Sequence, residues 1–101
     1  MKRTTSPVAC TLSTAGLAAQ AERWTRLRTA AQTARVECAE GLELRFRDEP
    51  QVEEELRALV AVENECCSWA HWEVLRDRGG LTMRAGSTGA GVAALHSMFT
   101  T

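Results

Sequence analysis

Between Leu42 and Val60 the spacing of apolar residues switches from every second position to every third or fourth, which restricts the chain to folds that pack helices on a sheet. Leu42-Glu43-Leu44-Arg45-Phe46-Arg47 alternates strictly after Gly41. That pattern predicts a strand with Leu42, Leu44 and Phe46 turned to the core. Val52, Leu56, Leu59 and Val60 then follow the i, i+4, i+7, i+8 rule of an amphipathic helix. Its start carries three signals. Asp48 is placed as N-cap with Gln51 at the capping-box distance, Pro50 suits the first turn, and Glu53, Glu54 and Glu55 lie near the positive end of the helix dipole.

The remaining elements are read the same way. Val8 to Leu12, which includes Cys10, forms a short apolar run expected to be an edge strand. A helix is expected from Ser13 or Thr14 to Thr33, with Leu17, Ala21, Trp24, Leu27 and Ala31 on one face and Arg23, Arg26, Arg28 and Arg35 forming a solvated side. Trp72 and Val74 alternate with Glu73 and Leu75, and Asp77-Arg78-Gly79-Gly80 reads as a hairpin turn into Leu81-Thr82-Met83-Arg84-Ala85. Val92, Leu95, Met98 and Phe99 are spaced for a short terminal helix. The glycines of the 86–91 segment lack the order of a phosphate-binding loop. No internal repeat is expected. The order β-α-β-α-β-β-α implies an α+β fold in two layers, a mainly antiparallel sheet with helices on one face, as in a ferredoxin-like relative. Residues 1–7 are read as a flexible N-terminus and 8–101 as one α+β domain, in keeping with a length of 101 residues.

A formal net charge of −1 and a pI near 6.1 give no basic footprint, which argues against a nucleic-acid partner. No apolar stretch reaches the length of a membrane span, so no membrane partner is expected and the chain is read as cytoplasmic. In a reducing compartment its four cysteines are thiols, metal ligands or redox groups before they are structural disulfides.

Two of those cysteines adjoin each other in Glu63-Asn64-Glu65-Cys66-Cys67-Ser68-Trp69. Neighbouring residues on a helix diverge by about 100°, so a narrow apolar stripe cannot absorb both. A lone cysteine would be read as a small hydrophobe. Extending the stripe past Leu59 puts Glu63 where an apolar residue belongs, one turn before Cys66 and Cys67. A carboxylate and two sulfurs thus share one end of the helix.

Cys10-Thr11-Leu12, the helix with Trp24 and Leu27, Leu44-Arg45-Phe46 and Glu63-x-x-Cys66-Cys67-x-Trp69 together resemble a family of small bacterial proteins of poorly defined function. Similar domains occur fused behind MerR-type metal-responsive regulators. The likeness runs from about Val8 to Phe99 and is most specific at the double cysteine. This chain departs from the pattern with Ser68 in place of proline, Trp69 in place of phenylalanine and Gln20 where arginine often stands. The resemblance implies a fold, a site and a regulator as partner, but no reaction.

The candidate metal ligands are Cys10, Glu63, Cys66 and Cys67. Thiolates select thiophilic ions: three sulfurs suit mercury(II) or arsenic(III), and a mixed sulfur and oxygen set suits zinc. His71 is a further candidate ligand, and also an ordinary exposed strand residue. The expected ligand is a soft metal or metalloid ion (mercury, arsenic or zinc) or another small thiol-reactive ligand, with no organic cofactor. A carboxylate and a helix C-terminus both disfavour a standing thiolate, which argues for binding over nucleophilic catalysis. Three alternatives stay open: a thiol enzyme with Glu63 as acid or base, a redox protein joining Cys10 to the pair, and a structural interaction domain with buried cysteines. A homodimer is the other expected assembly. Cys38 has no partner motif and is read as packing or surface.

Overall fold

The computed structural model describes residues 14–66, 69–78 and 80–100. Within them the chain runs α1 (Thr14–Ala31), β1 (Gln32–Cys38), β2 (Gly41–Phe46), α2 (Pro50–Cys66), β3 (His71–Asp77), β4 (Gly80–Gly86) and α3 (Ala90–Met98). The four strands form one sheet in the order β1-β2-β4-β3 with every neighbouring pair antiparallel. The fold is therefore α+β, and its described order is α-β-β-α-β-β-α rather than the expected β-α-β-α-β-β-α. The strand expected over Val8 to Leu12 lies outside the described residues. Within this sheet β2 and β3 run parallel to each other on either side of β4 and are joined by α2, a split β-α-β arrangement.

The unexpected strand is β1. The first helix stops at Ala31, whose carbonyl accepts the Arg47 N–H at 3.0 Å, and the chain turns directly into the sheet edge. This strand lacks apolar alternation because the residues opposite Leu44 and Leu42 on the covered face are Arg35 and Glu37. Their side chains serve α3: Arg35 donates to the carbonyls of Phe99 and, at 3.0 Å, His96, and it pairs with Glu37 at 2.8 Å. Carbonyls at the end of a helix have no intrahelical donor, and a guanidinium satisfies them and complements the dipole. Arg28 adds a bond to the Phe99 carbonyl at 3.1 Å and lies over the Phe99 ring. These two arginines are thus not the solvated face expected of them.

The sheet buries Leu42, Leu44 and Phe46 on β2 and Leu81, Met83 and Ala85 on β4, as their alternation requires. Leu56 and Leu59 of α2, Trp24 and Leu27 of α1, and Leu95 of α3 complete the core. Leu17, expected inside, is 44% exposed, and Met98 is 43% exposed. The other face carries charge: Glu43, Arg84 and Glu73 stand opposite one another across three strands, with Arg84 pairing Glu43 at 3.0 Å. The second helix begins at Pro50, so Asp48 is too early to cap it and pairs with Arg76 instead.

The strand order reads the same when the two α-β-β units are exchanged. Gln32–Cys38 and His71–Asp77 are offset by 39 residues at both ends. The same offset carries Gly41-Leu42-Glu43-Leu44-Arg45 onto Gly80-Leu81-Thr82-Met83-Arg84 and buried Ala31 onto buried Ala70. Two similar units thus pair through β2 and β4, an internal repeat not expected from sequence.

Candidate functional site

The fold carries Glu63 on the buried side of α2, where the extended apolar stripe placed it. Its side chain is 3% exposed. Two donors from α1 reach it: the Trp24 indole N–H at 2.8 Å and the Gln20 amide at 3.0 Å, both on Oε2. The Gln20 amide also donates to the Leu59 carbonyl at 3.2 Å, which fixes its orientation. Both partners are neutral. Among the described residues no cation pairs with Glu63.

Trp24 leads into an aromatic cluster. Its ring centroid is 5.0 Å from that of Phe99 and 6.5 Å from that of Trp72, and Trp72 is 6.4 Å from Trp69 and 6.0 Å from Phe99. All three tryptophans of the chain belong to this group. The Trp69 backbone is held by Ser87, whose hydroxyl donates to the Trp69 carbonyl at 2.6 Å, and Asn64 at the end of α2 donates to the Trp72 carbonyl at 3.1 Å. Yet the indole N–H groups of Trp69 and Trp72 are buried and have no acceptor among the described residues. Sequence reading flagged neither donor, because the partner of an indole N–H is set by tertiary packing. It also took Trp24 only as core and Gln20 only as an absent cation, and missed both as donors to Glu63.

The other ligand candidates are placed only in part. Cys66 is the last residue of α2, within one helical turn of Glu63, and its side chain lies outside the description, as do Cys67 and Cys10 entirely. Among the described residues no three or more histidine, cysteine or acidic side chains converge as a metal cluster. His71 opens β3 and is exposed, and Cys38 is an exposed free thiol at the end of β1. A cleft of about 420 Å³ lined by Thr25, Arg28, Thr29, Gln32 and Thr100 shares no residue with the Glu63 cluster. No described helix is long and apolar enough to cross a membrane.

No family model, curated protein or solved structure matches this chain. The class its described architecture defines is an α+β domain of two paired α-β-β units with a carboxylate buried between their helices.

Proposed function

We propose that the protein binds a soft metal or metalloid ion (mercury, arsenic or zinc) through Cys66 and Cys67, with Glu63 as the oxygen group beside them and Cys10 as a third sulfur. The observation that carries this reading is the burial of Glu63 at 3% exposure, where the donors it has among the described residues, Trp24 and Gln20, are both neutral. A buried carboxylate is ordinarily paired with a cation or bound to a metal, because hydrogen bonds alone offset only part of its desolvation. A positive ion at the end of α2 supplies the missing charge. The same ion suits the thiols: it deprotonates them as it binds, and its charge outweighs the negative end of the helix dipole.

Support also comes from what the site lacks. An activated cysteine needs a cation or a helix N-terminus beside it. Cys66 closes a helix at the opposite end, and no basic residue stands in the last turn of α2. Binding therefore fits this place better than nucleophilic catalysis.

Titration of the reduced protein with mercury(II), arsenite and zinc(II) tests the reading, followed by native mass spectrometry and by sulfur-to-metal charge-transfer absorbance. The expected result is a one-to-one adduct that survives competing small thiols and is lost in Cys66→Ser. Four thiols that stay unreactive until the protein unfolds, with no adduct, would overturn it.

A further inference from the structure

We propose that the outer edge of β1 is an interface between two copies of this chain, which join their sheets through antiparallel β1 strands about a two-fold axis at Val36. The proposal does not depend on the thiol site. β1 closes one edge of the sheet, and no described strand pairs with its outer side. An open row of N–H and C=O groups recruits another strand unless charge or a covering element guards it. Here the edge holds an apolar residue in water: Val36 is 45% exposed, whereas Val74 and Leu75 on the opposite edge, β3, are half-buried. The two charges beside Val36 are Arg35 and Glu37, of opposite sign and two residues apart, so they repel nothing when the strand meets a copy of itself.

The backbone register agrees with the charges. Ala39-Glu40 is a two-residue turn between Cys38 and Gly41, so Cys38–Gly41 and Val36–Glu43 are the hydrogen-bonded pairs of the β1–β2 hairpin. The N–H and C=O groups of Arg35 and Glu37 therefore point out of the sheet. An antiparallel copy centred on Val36 sets each Arg35 opposite Glu37 of the second copy, where the outward groups exchange both backbone hydrogen bonds and the side chains carry opposite charge. On the other face Val36 meets Val36 and Ala34 meets Cys38. Beside that contact stands Glu43, which Arg84 already pairs at 3.0 Å. Opposed residues of a sheet must share a face, so the two nearest registers centre on Arg35 or on Glu37, and each puts like charges against each other. The contact is isologous and closes as a dimer with one continuous sheet. A strand edge buries less surface than a standard interface, so the dimer forms and parts with concentration.

Sedimentation velocity of the full reduced chain over a concentration series tests the interface, beside a disulfide trap that reads its register. The expected result is a reversible species of twice the monomer mass. Val36→Lys sets two cations against each other on the axis and should weaken association at least about tenfold, with the circular dichroism of the folded chain unchanged. Ala34→Cys places the introduced thiol opposite the exposed Cys38 of the second copy, in a pair whose Cα atoms lie about 4.5 Å apart, within reach of a disulfide. Diamide, which takes up the two thiol hydrogens as the sulfurs join, should then give a covalent dimer in which peptide mapping finds position 34 bonded to Cys38. The same treatment of Ala34→Cys/Cys38→Ser should give no such link. A protein that stays monomeric at millimolar concentration, a dimer that Val36→Lys leaves as strong, or a link from Cys38 to Cys38 in the unsubstituted chain would each overturn the interface. Should Val36→Lys not fold, the trap between position 34 and Cys38 decides the matter.

Discussion

Trp24 donates its indole N–H to Glu63 across 2.8 Å, and the two residues are separated by 39 positions, the same offset that carries β1 onto β3. Gln20 and the Leu59 carbonyl it bonds share that offset. Corresponding positions of the two α-β-β units therefore touch each other where α1 crosses α2, as residues near an approximate two-fold axis must. The units differ at that point in one decisive respect: the first supplies neutral donors and the second a carboxylate. A symmetric pair of tryptophans or of carboxylates would leave donors facing donors or charge facing charge.

Removing the carboxylate should therefore destabilise the protein through the groups left behind. In Glu63→Ala the Trp24 and Gln20 donors lose their shared acceptor inside the core, at about 1–3 kcal/mol for each orphaned group. Glu63→Gln keeps an oxygen for them and should cost only about 1 kcal/mol. Urea unfolding of the three proteins gives the order. If alanine and glutamine behave alike, the hydrogen bonds to Oε2 are not what the buried group contributes.

The cysteines should separate binding from stability in the opposite way. Cys66→Ser and Cys67→Ser are nearly isosteric changes, and each should shift unfolding by less than about 1 kcal/mol while removing soft-ion affinity. Calorimetric titration beside thermal unfolding reads both quantities. A variant that loses stability and keeps its affinity would make the pair structural.

Much of this arrangement was legible from residue spacing. The alternation of Leu42, Leu44 and Phe46 places β2 with its burial, and the stripe from Val52 to Val60, run on to Glu63, finds the one buried carboxylate among the described residues. Those signals work because each element has one apolar and one polar face. Strand β1 fails the same test, since on its helix side it carries Arg35, which answers to the carbonyl end of α3, and the exposed Glu37 that pairs with it, an arrangement no local pattern encodes. The order β-α-β-α-β-β-α was expected because a helix through Thr33 left no room for that strand. Leu17 was expected inside because α1 keeps its apolar period beyond the length that the sheet and α2 cover. At the site, the role of Gln20 and the open donors of Trp69 and Trp72 depend on which residues from distant segments meet. A 39-residue repeat was hidden as well, because similar residues are kept mainly along β2 and β4, while β1 and β3 differ and the helices have diverged at Trp24 and Glu63.

Two glycines should prove irreplaceable for reasons of space alone. A Cβ on Gly41 would overlap the Ala85 carbonyl on the neighbouring central strand, and one on Gly91 would overlap the Ser87 hydroxyl that holds Trp69. Backbone in a paired strand cannot yield without breaking the ladder, whereas a serine can turn away at the loss of its hydrogen bond. Gly41→Ala is expected to cost 3 kcal/mol or more and Gly91→Ala about 1–2 kcal/mol, on the scale of overpacked cores. Thermal unfolding should show that order. The Trp69 fluorescence spectrum should shift in Gly91→Ala, because its carbonyl loses the Ser87 bond.

Acid should loosen the packing of α1 on α2 before it reaches the core. Arg23 grips Glu55 with two bonds, Nε to Oε2 at 3.0 Å and Nη2 to Oε1 at 2.9 Å, and these hold the Glu55 carboxyl below its usual value of 4.5. Glu53, held by Arg57 and Arg76, and Glu37, held by Arg35, are lowered in the same way. A carboxylate whose folded value is depressed binds fewer protons than it does unfolded, so its contribution is complete above the unfolded value and is lost as pH falls through the folded one. Stability should be flat from neutral pH to about 5 and decline below the ordinary carboxylate value of 4.5. Partial exposure limits the Arg23–Glu55 share to less than about 1 kcal/mol. In Arg23→Ala that share should vanish, and the decline between pH 5 and 3 should be shallower by one group. Urea midpoints for the two proteins across that range measure the difference. Parallel curves would mean that the Glu55 carboxylate is held no more tightly in the fold than in the unfolded chain.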